Sequence, residues 1–584
     1  MMTLKQKILR WIDYSFLFAS VLALASLVAQ YGFYIDPQWE TVLEHADVAI
    51  ILYYAVQFIL KTALLDNRKD YIKKHWFETA LVVIILSHLV GLIHSSGLSV
   101  LRQVFSVNQV GALTKLSIVG AQVLIVLSII SKAVRLNRRI ALLKFHPAQT
   151  LILSFLFVII IGTMLLLLPK AIKPGNVLSP LDALFTATSA TCVTGLIVVD
   201  TGTYFSQLGQ LIILALIQIG GLGIMTLASF LALFFGRGLG IKERVLMLEM
   251  MNVDQLGMIK KTLKSVVTIT FLMEIVGAAL LFVFLYKPAR PLEETIYQAV
   301  FHSISAFCNA GFSLFSDSLI GWQNNPAALL TVTALIIMGG LGFIVLMELG
   351  GAKILYRKKE ENFNRQWTVH TRLVLGISAI LLAGGTVFIF FIEPAQGNYS
   401  GHALQAFFTS VTARTAGFNT VDMAALSLPV TLLVILLMFI GASPGSTGGG
   451  IKTTTLGVLF ASLVSIIKGR TRIELYHKSI SYTILNRALV IFAFSVSVIA
   501  VATILLSITE SAPLTDILFE EVSAFATVGL SRGLTPTLSA WGKIIIIVSM
   551  FIGRLGPLTV ALAVTAPKKK LRVEYPEVKN IMVG

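Results

Sequence analysis

The chain has 584 residues, 56% of them hydrophobic and 13% charged, with a formal net charge of +17. A mean hydropathy of +0.85 excludes a water-soluble protein and calls for a bilayer as solvent. The basic excess is not a nucleic-acid footprint, because its placement along the chain follows membrane topology.

Apolar stretches of the ~20 residues that cross ~30 Å of hydrocarbon recur in chain order. They lie at about 14–33, 44–65, 77–95, 117–134, 149–168, 207–235, 264–286, 327–350, 372–392, 428–467, 487–507 and 541–565. The first is read as a span rather than a signal peptide, although ALAS (22–25) resembles a cleavage site, because nothing after it reads as a soluble mature protein. Of the 46 Lys and Arg residues, 34 fall in segments 1–13, 66–75, 132–146, 236–264, 351–372, 466–487 and 566–584, which alternate spans place on one side. The opposite connections hold about eight. This asymmetry predicts a multi-pass protein of the cell membrane, plasma or inner, with both termini cytoplasmic.

Two cysteines, Cys192 and Cys308, lack neighbouring histidine ligands and make neither a zinc pattern nor a disulfide framework. The GGLG segments at 220–223 and 339–342 lie inside apolar runs and follow no strand, so they are not dinucleotide loops. No nucleotide-binding domain is encoded and no bound cofactor is expected.

Four short segments recur: SATCVTGL (189–196), SAFCNAGF (305–312), VTARTAGF (411–418) and SAFATVGL (523–530). Each carries a glycine at its seventh position, Gly195, Gly311, Gly417 and Gly529, spaced by 116, 106 and 112 residues. Each follows an amphipathic stretch too short to span and lies between two long apolar runs. The unit is therefore helix, re-entrant helix, glycine turn, helix, four times over. Irregular backbone at membrane depth survives only where protein buries it or where it lines a water-filled path. Four such turns on one axis would aim carbonyl oxygens at a cation in place of its hydration shell.

A second small-residue cluster follows each turn: IGGLG (219–223), MGGLG (338–342), IGASPG (440–445) and IGRLG (552–556). The third is expanded into GASPGSTGGGIKTTT (441–455), a polar break inside an apolar run, and is read as a glycine bend grown into a loop below the turns. In the fourth, Arg554 occupies the place of Gly221, Gly340 and Ala442. An ionisable residue near mid-membrane costs at least ~2.5 kcal/mol and faces protein or water. The loop, through Gly445, Ser446, Thr447, Gly448, Gly449, Gly450 and Lys452, together with Arg554, is expected to form a gate. Arg414 is expected to brace its turn from behind, and Glu274 to be a buried helix-packing partner.

Segments 186–226, 411–420, 446–453 and 550–559, with the closing EYPEVKNIMVG, resemble the Ktr/Trk/HKT superfamily of potassium-translocating membrane subunits over about 145–584. The resemblance implies an all-α polytopic membrane protein with four parallel helix–pore helix–helix repeats around one pseudo-fourfold pore. These would occupy 146–260, 261–368, 369–480 (with gate loop 441–452) and 481–584. It implies a K⁺ filter of backbone carbonyls at Val193, Thr194, Gly195, Asn309, Ala310, Gly311, Thr415, Ala416, Gly417, Thr527, Val528 and Gly529, glycine in all four positions going with K⁺. It also implies a homodimer and a separate cytoplasmic nucleotide-binding ring. Residues 1–145 depart from the family pattern. Their four predicted spans, with DYIKKHWFETALVVI (70–84), resemble the first helices of voltage-sensor-like domains, and a four-helix module is expected whose fourth span (117–134) holds only Lys132, too little charge for voltage sensing. The expected function is gated K⁺ uptake, with no nucleic acid as partner. A sodium-coupled or sodium-permeable cation transporter is the alternative. An enzyme is disfavoured because no paired carboxylates, HExxH or nucleophile elbow are present.

Overall fold

The structure, a computed structural model, describes residues 4–65, 68–74, 147–223, 259–350, 367–394, 399–470 and 472–564, with isolated positions 79, 82, 83 and 226. The predicted spans 77–95 (apart from three of those positions) and 117–134, most of the two long basic segments 236–264 and 351–372, and the C-terminal tail lie outside the described residues.

The N-terminal helices α1 (Leu4–Gly32) and α2 (Pro37–Leu64) form a hairpin followed by the short α3 (Arg68–Lys74). Polar side chains pair across the hairpin, Gln57 Nε2 donating to Ser15 Oγ at 2.6 Å and Gln30 Nε2 to Asp47 Oδ2 at 2.5 Å. Lys170 Nζ donates to the Gln30 carbonyl at 2.7 Å, joining the end of α1 to the chain that follows.

From Pro147 onward a pattern repeats. It begins with α4 (Pro147–Leu166), α5 (Pro180–Cys192) and α6 (Gln207–Leu222). Next come α7 (Ile259–Leu285), α8 (Leu292–Phe307) and α9 (Pro326–Leu341), the last continued by α10 (Phe343–Leu349). Then follow α11 (Val369–Ile392), α12 (Tyr399–Thr412), α13 (Leu428–Phe439) and α14 (Thr453–Ile467). An antiparallel hairpin, β1 (Ile473–Leu475) with β2 (Lys478–Ile480), leads into α15 (Tyr482–Thr509), α16 (Leu514–Phe525), α17 (Ala540–Leu555) and α18 (Pro557–Val564). Among the described residues, five helices are long and apolar enough to cross a membrane, or six if the bent α9–α10 pair counts as one.

Burial separates a sheath from a core. The long helices present large apolar side chains outward, as at Ile380 (72% exposed), Phe391 (76%) and Ile508 (76%), which only hydrocarbon accommodates at this density. The short helices α5, α8, α12 and α16 bury most of their C-terminal halves, Ser and Thr included. Most of these hydroxyls find partners inside the protein, while those of Thr186 and Thr191 do not.

Two expected continuous spans are broken. The 327–350 run turns through 107° between α9 and α10, at Gly342 with φ +93°. The 541–565 run breaks at Gly556, φ +86°. In the 207–235 run, α6 ends at Gly223, φ +79°. In these three clusters the last glycine combines a positive φ with an extended ψ, a backbone open to glycine, and the helix stops there.

Candidate functional site

The short helices end alike. The residue two before the turn glycine adopts a left-handed conformation without being glycine: Val193 (φ 58°), Asn309 (φ 58°), Thr415 (φ 77°) and Thr527 (φ 52°). In three copies a pair of backbone bonds closes the end, Val193 N to Ala190 O and Thr194 N to Ser189 O in the first, a Schellman closure. The third closes one residue later, with Ala416 N donating to Thr412 O at 3.0 Å. Positive φ on β-branched residues is strained and persists where the surroundings enforce it. The sequence pattern indicated left-handed backbone only at the glycines, which do adopt it (φ +92°, +70°, +79° and +95°).

The four turns meet. A Cβ built on Gly195 would fall closer than 3.0 Å to the Ala310 carbonyl oxygen, one on Gly311 to that of Ala416, one on Gly417 to that of Val528, and one on Gly529 to that of Thr194. The contacts run first to second to third to fourth and back to first. Residues 193–195, 309–311, 415–417 and 527–529 thus form a closed ring of backbone in which no side chain fits at the glycines. The short helices point their C-terminal, partially negative ends at this ring.

Hydroxyls hold the ring from behind, a role the sequence signalled only by the leading serine in three of the four segments. Ser189 Oγ accepts from Gly195 N at 3.0 Å and Ser523 Oγ from Gly529 N at 3.1 Å. Ser305 Oγ donates to Phe312 O at 2.8 Å. The third segment has Val411 there, and Thr412 Oγ1 donates instead to Phe418 O at 2.6 Å. Arg414 is buried behind its turn, Nη2 donating to Ser378 Oγ at 3.3 Å. Glu274 is buried against α8, Cys308 Sγ lying 3.9 Å from its carboxyl.

In the first, second and fourth of the later clusters the first glycine packs, while the break falls at the last. A Cβ on Gly220, Gly339 or Gly553 would strike the carbonyl of Thr191, Phe307 or Phe525, each four residues before a turn glycine. These glycines let α6, α9 and α17 press on the short helices. Gly553→Ala is expected to cost about 1–3 kcal/mol through overpacking, visible as a lower melting temperature in detergent. An unchanged melting temperature would contradict this packing role.

In the third cluster the loop intervenes, and Gly441 meets Gly449 and Gly450 instead. Gly448 lies against the Thr415 side chain and Gly449 against that of Thr527, so the consecutive glycines sit directly beneath the ring. Ser443 N donates to Gly340 O at 3.0 Å, Thr447 N to Gly339 O at 3.3 Å, and Phe343 N to Gly445 O at 2.9 Å. Ser446 Oγ donates to Ser443 O at 2.6 Å. Lys452 folds inward and donates from Nζ to Gly448 O at 2.7 Å. Arg554 spans the assembly, Nη1 donating to the Thr447 carbonyl and Nη2 to the Gly220 carbonyl. The arginine thus takes a loop carbonyl. The Thr447 hydroxyl goes to Phe307 O at 3.3 Å.

Residues 117–572 match the family model of the TrkH cation transport proteins. This chain belongs to the TrkH family. The match begins within the fourth predicted span, upstream of the expected boundary near 145. The chain is 40% identical over 441 residues to the Ktr system potassium uptake protein B of Bacillus subtilis, covering 74% of this chain and 96% of that protein. It is 37% identical over 452 residues to the potassium/sodium uptake protein NtpJ of Enterococcus hirae, covering 76% and 98%. The crystal structure of the potassium transporter TrkH from Vibrio parahaemolyticus shares the fold at a TM-score of 0.58 and 20% identity, over 71% of this chain and 83% of that one. TrkH-family membership and the apolar sheath make this a multi-pass membrane protein.

Proposed function

We propose that the chain carries K⁺ into the cell through the ring of four glycine turns, gated from below by loop 441–452 and Arg554. The observation that carries this reading is the cyclic contact of Gly195, Gly311, Gly417 and Gly529 with the carbonyls of the next turn. A backbone ring at membrane depth, facing the negative ends of four helices, suits a dehydrated monovalent cation. The filter comprises residues 193–195, 309–311, 415–417 and 527–529, and four units, 146–260, 261–368, 369–480 and 481–584, surround the pathway. The kinship with the B. subtilis K⁺ uptake protein favours K⁺. That with the potassium/sodium uptake protein makes Na⁺ permeation the competing result in any flux test.

The chain catalyses no covalent chemistry in this reading, needs no bound cofactor and has both termini in the cytoplasm. It works as a homodimer under a separate cytoplasmic nucleotide-binding ring, docked on basic loops 237–264 and 353–372. K⁺ flux through the purified chain in liposomes is expected to ignore added ATP, ADP and cyclic nucleotides. A full nucleotide response by the chain alone would remove the separate ring from the proposal.

A further inference from the structure

The four turns are alike at the glycines but not at their outer mouths. In the second and fourth, the residue two after the glycine is serine, Ser313 or Ser531. Each serine accepts a backbone N–H from two residues on, Phe315 N at 3.0 Å and Gly533 N at 3.1 Å. Each is also gripped by a fully buried side chain nine residues before the glycine. Ser313 Oγ lies 3.1 Å from His302 Nε2, and Ser531 Oγ donates to Glu520 Oε2 at 2.8 Å.

The hydrogen bonds fix the histidine's tautomer. Leu314 N donates to Nε2 at 3.4 Å, so Nε2 is the acceptor and Nδ1 carries the proton, facing the Gln298 carbonyl at 2.7 Å. Glu520 takes a second hydroxyl, that of Thr535, on its other oxygen. Both braces tie a short helix to the strand that leaves its turn. Neither exists in the other two turns: the equivalent pairs are Thr186 with Ile197 and Phe408 with Asn419, and the Thr186 hydroxyl has no partner. The cyclic order of contacts puts the second and fourth turns on opposite sides of the ring.

We infer that His302 and Glu520 are positioning residues that fix the outer width of the filter along one diagonal, the diagonal of the second and fourth turns. They touch no ion. They act through Ser313 and Ser531 by preventing the exit strands from spreading, and so they bear on K⁺/Na⁺ discrimination. This rests on the filter reading above.

The test uses the full chain in planar bilayers and reads the Na⁺/K⁺ permeability ratio from reversal potentials. Ser313→Ala, Ser531→Ala and Glu520→Leu are each expected to raise the ratio roughly threefold to tenfold, the order expected when one hydrogen bond is lost from one side of the ring. Glu520→Gln keeps an acceptor for one hydroxyl and a donor for the other, and should stay within about twofold of the parent. Thr186→Val, the matching position on the other diagonal, should leave the ratio unchanged. If Glu520→Leu does not accumulate, the two serine variants decide, since each removes a single oxygen. Gly195→Ser, run in parallel, separates the two readings. A ratio moved by Gly195→Ser but by neither serine variant overturns the braces alone, and a ratio moved by none overturns the filter itself. A Thr186→Val shift as large as that of Ser531→Ala would also overturn the diagonal.

Discussion

Gly417→Ser is expected to raise the Na⁺/K⁺ permeability ratio by about tenfold or more and to slow K⁺ flux. Gly417 sits at φ +79°, and any Cβ there falls on the Val528 carbonyl and the Gly529 backbone. A side chain therefore meets two obstacles, the left-handed backbone and a carbonyl that must move. Overpacking of this kind costs about 1–3 kcal/mol, and 1.4 kcal/mol is a factor of ten in an equilibrium. In the proposed filter the displaced carbonyl is one of those that replace water around the ion, so the cost is expected to fall on selectivity. Gly195→Ser should behave the same way, because its obstacle is the Ala310 carbonyl. Paired Rb⁺ and Na⁺ uptake by the variants checks this. Parent-like selectivity and rate in both would remove these residues from the filter.

Arg554→Ala, or deletion within 443–450, is expected to raise resting K⁺ flux by about tenfold or more and to weaken control by any regulatory partner. In the structure the guanidinium donates to the Thr447 carbonyl of the loop and the Gly220 carbonyl of α6. It therefore locks the loop to two neighbours at the level where Gly448 and Gly449 lie against the Thr415 and Thr527 side chains. On the proposed pathway a cation leaving the ring would also meet the arginine's charge, a repulsion of about 4 kcal/mol at 4 Å for an effective dielectric of 20. In the proposed gate, opening moves the loop and redirects the arginine together. Combining the two changes should add little beyond either, because they dismantle one barrier. Liposome flux from single and double variants, with and without the partner, measures this. If all of them conduct and respond like the parent, the loop is a structural break and the gate lies elsewhere.

Much of the fold was legible because membrane spans and positive φ leave strong marks on a sequence. The four spaced glycines marked positions that adopt left-handed backbone, and Arg554 amid apolar residues marked a polar contact in the interior. What escaped was set by packing between segments distant in sequence. Nothing in the residues Val193, Asn309, Thr415 and Thr527 announces left-handed backbone, which the helix closures and the ring impose on them. Within each later cluster the residues do not tell which glycine packs and which turns, because glycine serves close approach and turning equally well. Only the contacts of Gly220, Gly339 and Gly553 with Thr191, Phe307 and Phe525 separate the two uses. The breaks at Gly342 and Gly556 interrupt runs that hydropathy alone joins, since apolar residues continue on both sides.

The central claim, a K⁺ pathway through the glycine ring, is tested most directly by cation flux through the purified chain in liposomes, comparing K⁺, Rb⁺ and Na⁺ in the parent and in Gly417→Ser. K⁺ and Rb⁺ are expected to pass readily and Na⁺ poorly in the parent, with that preference lost in the variant. Equal passage of Na⁺ and K⁺ in the parent, or a preference that survives Gly417→Ser intact, would contradict it.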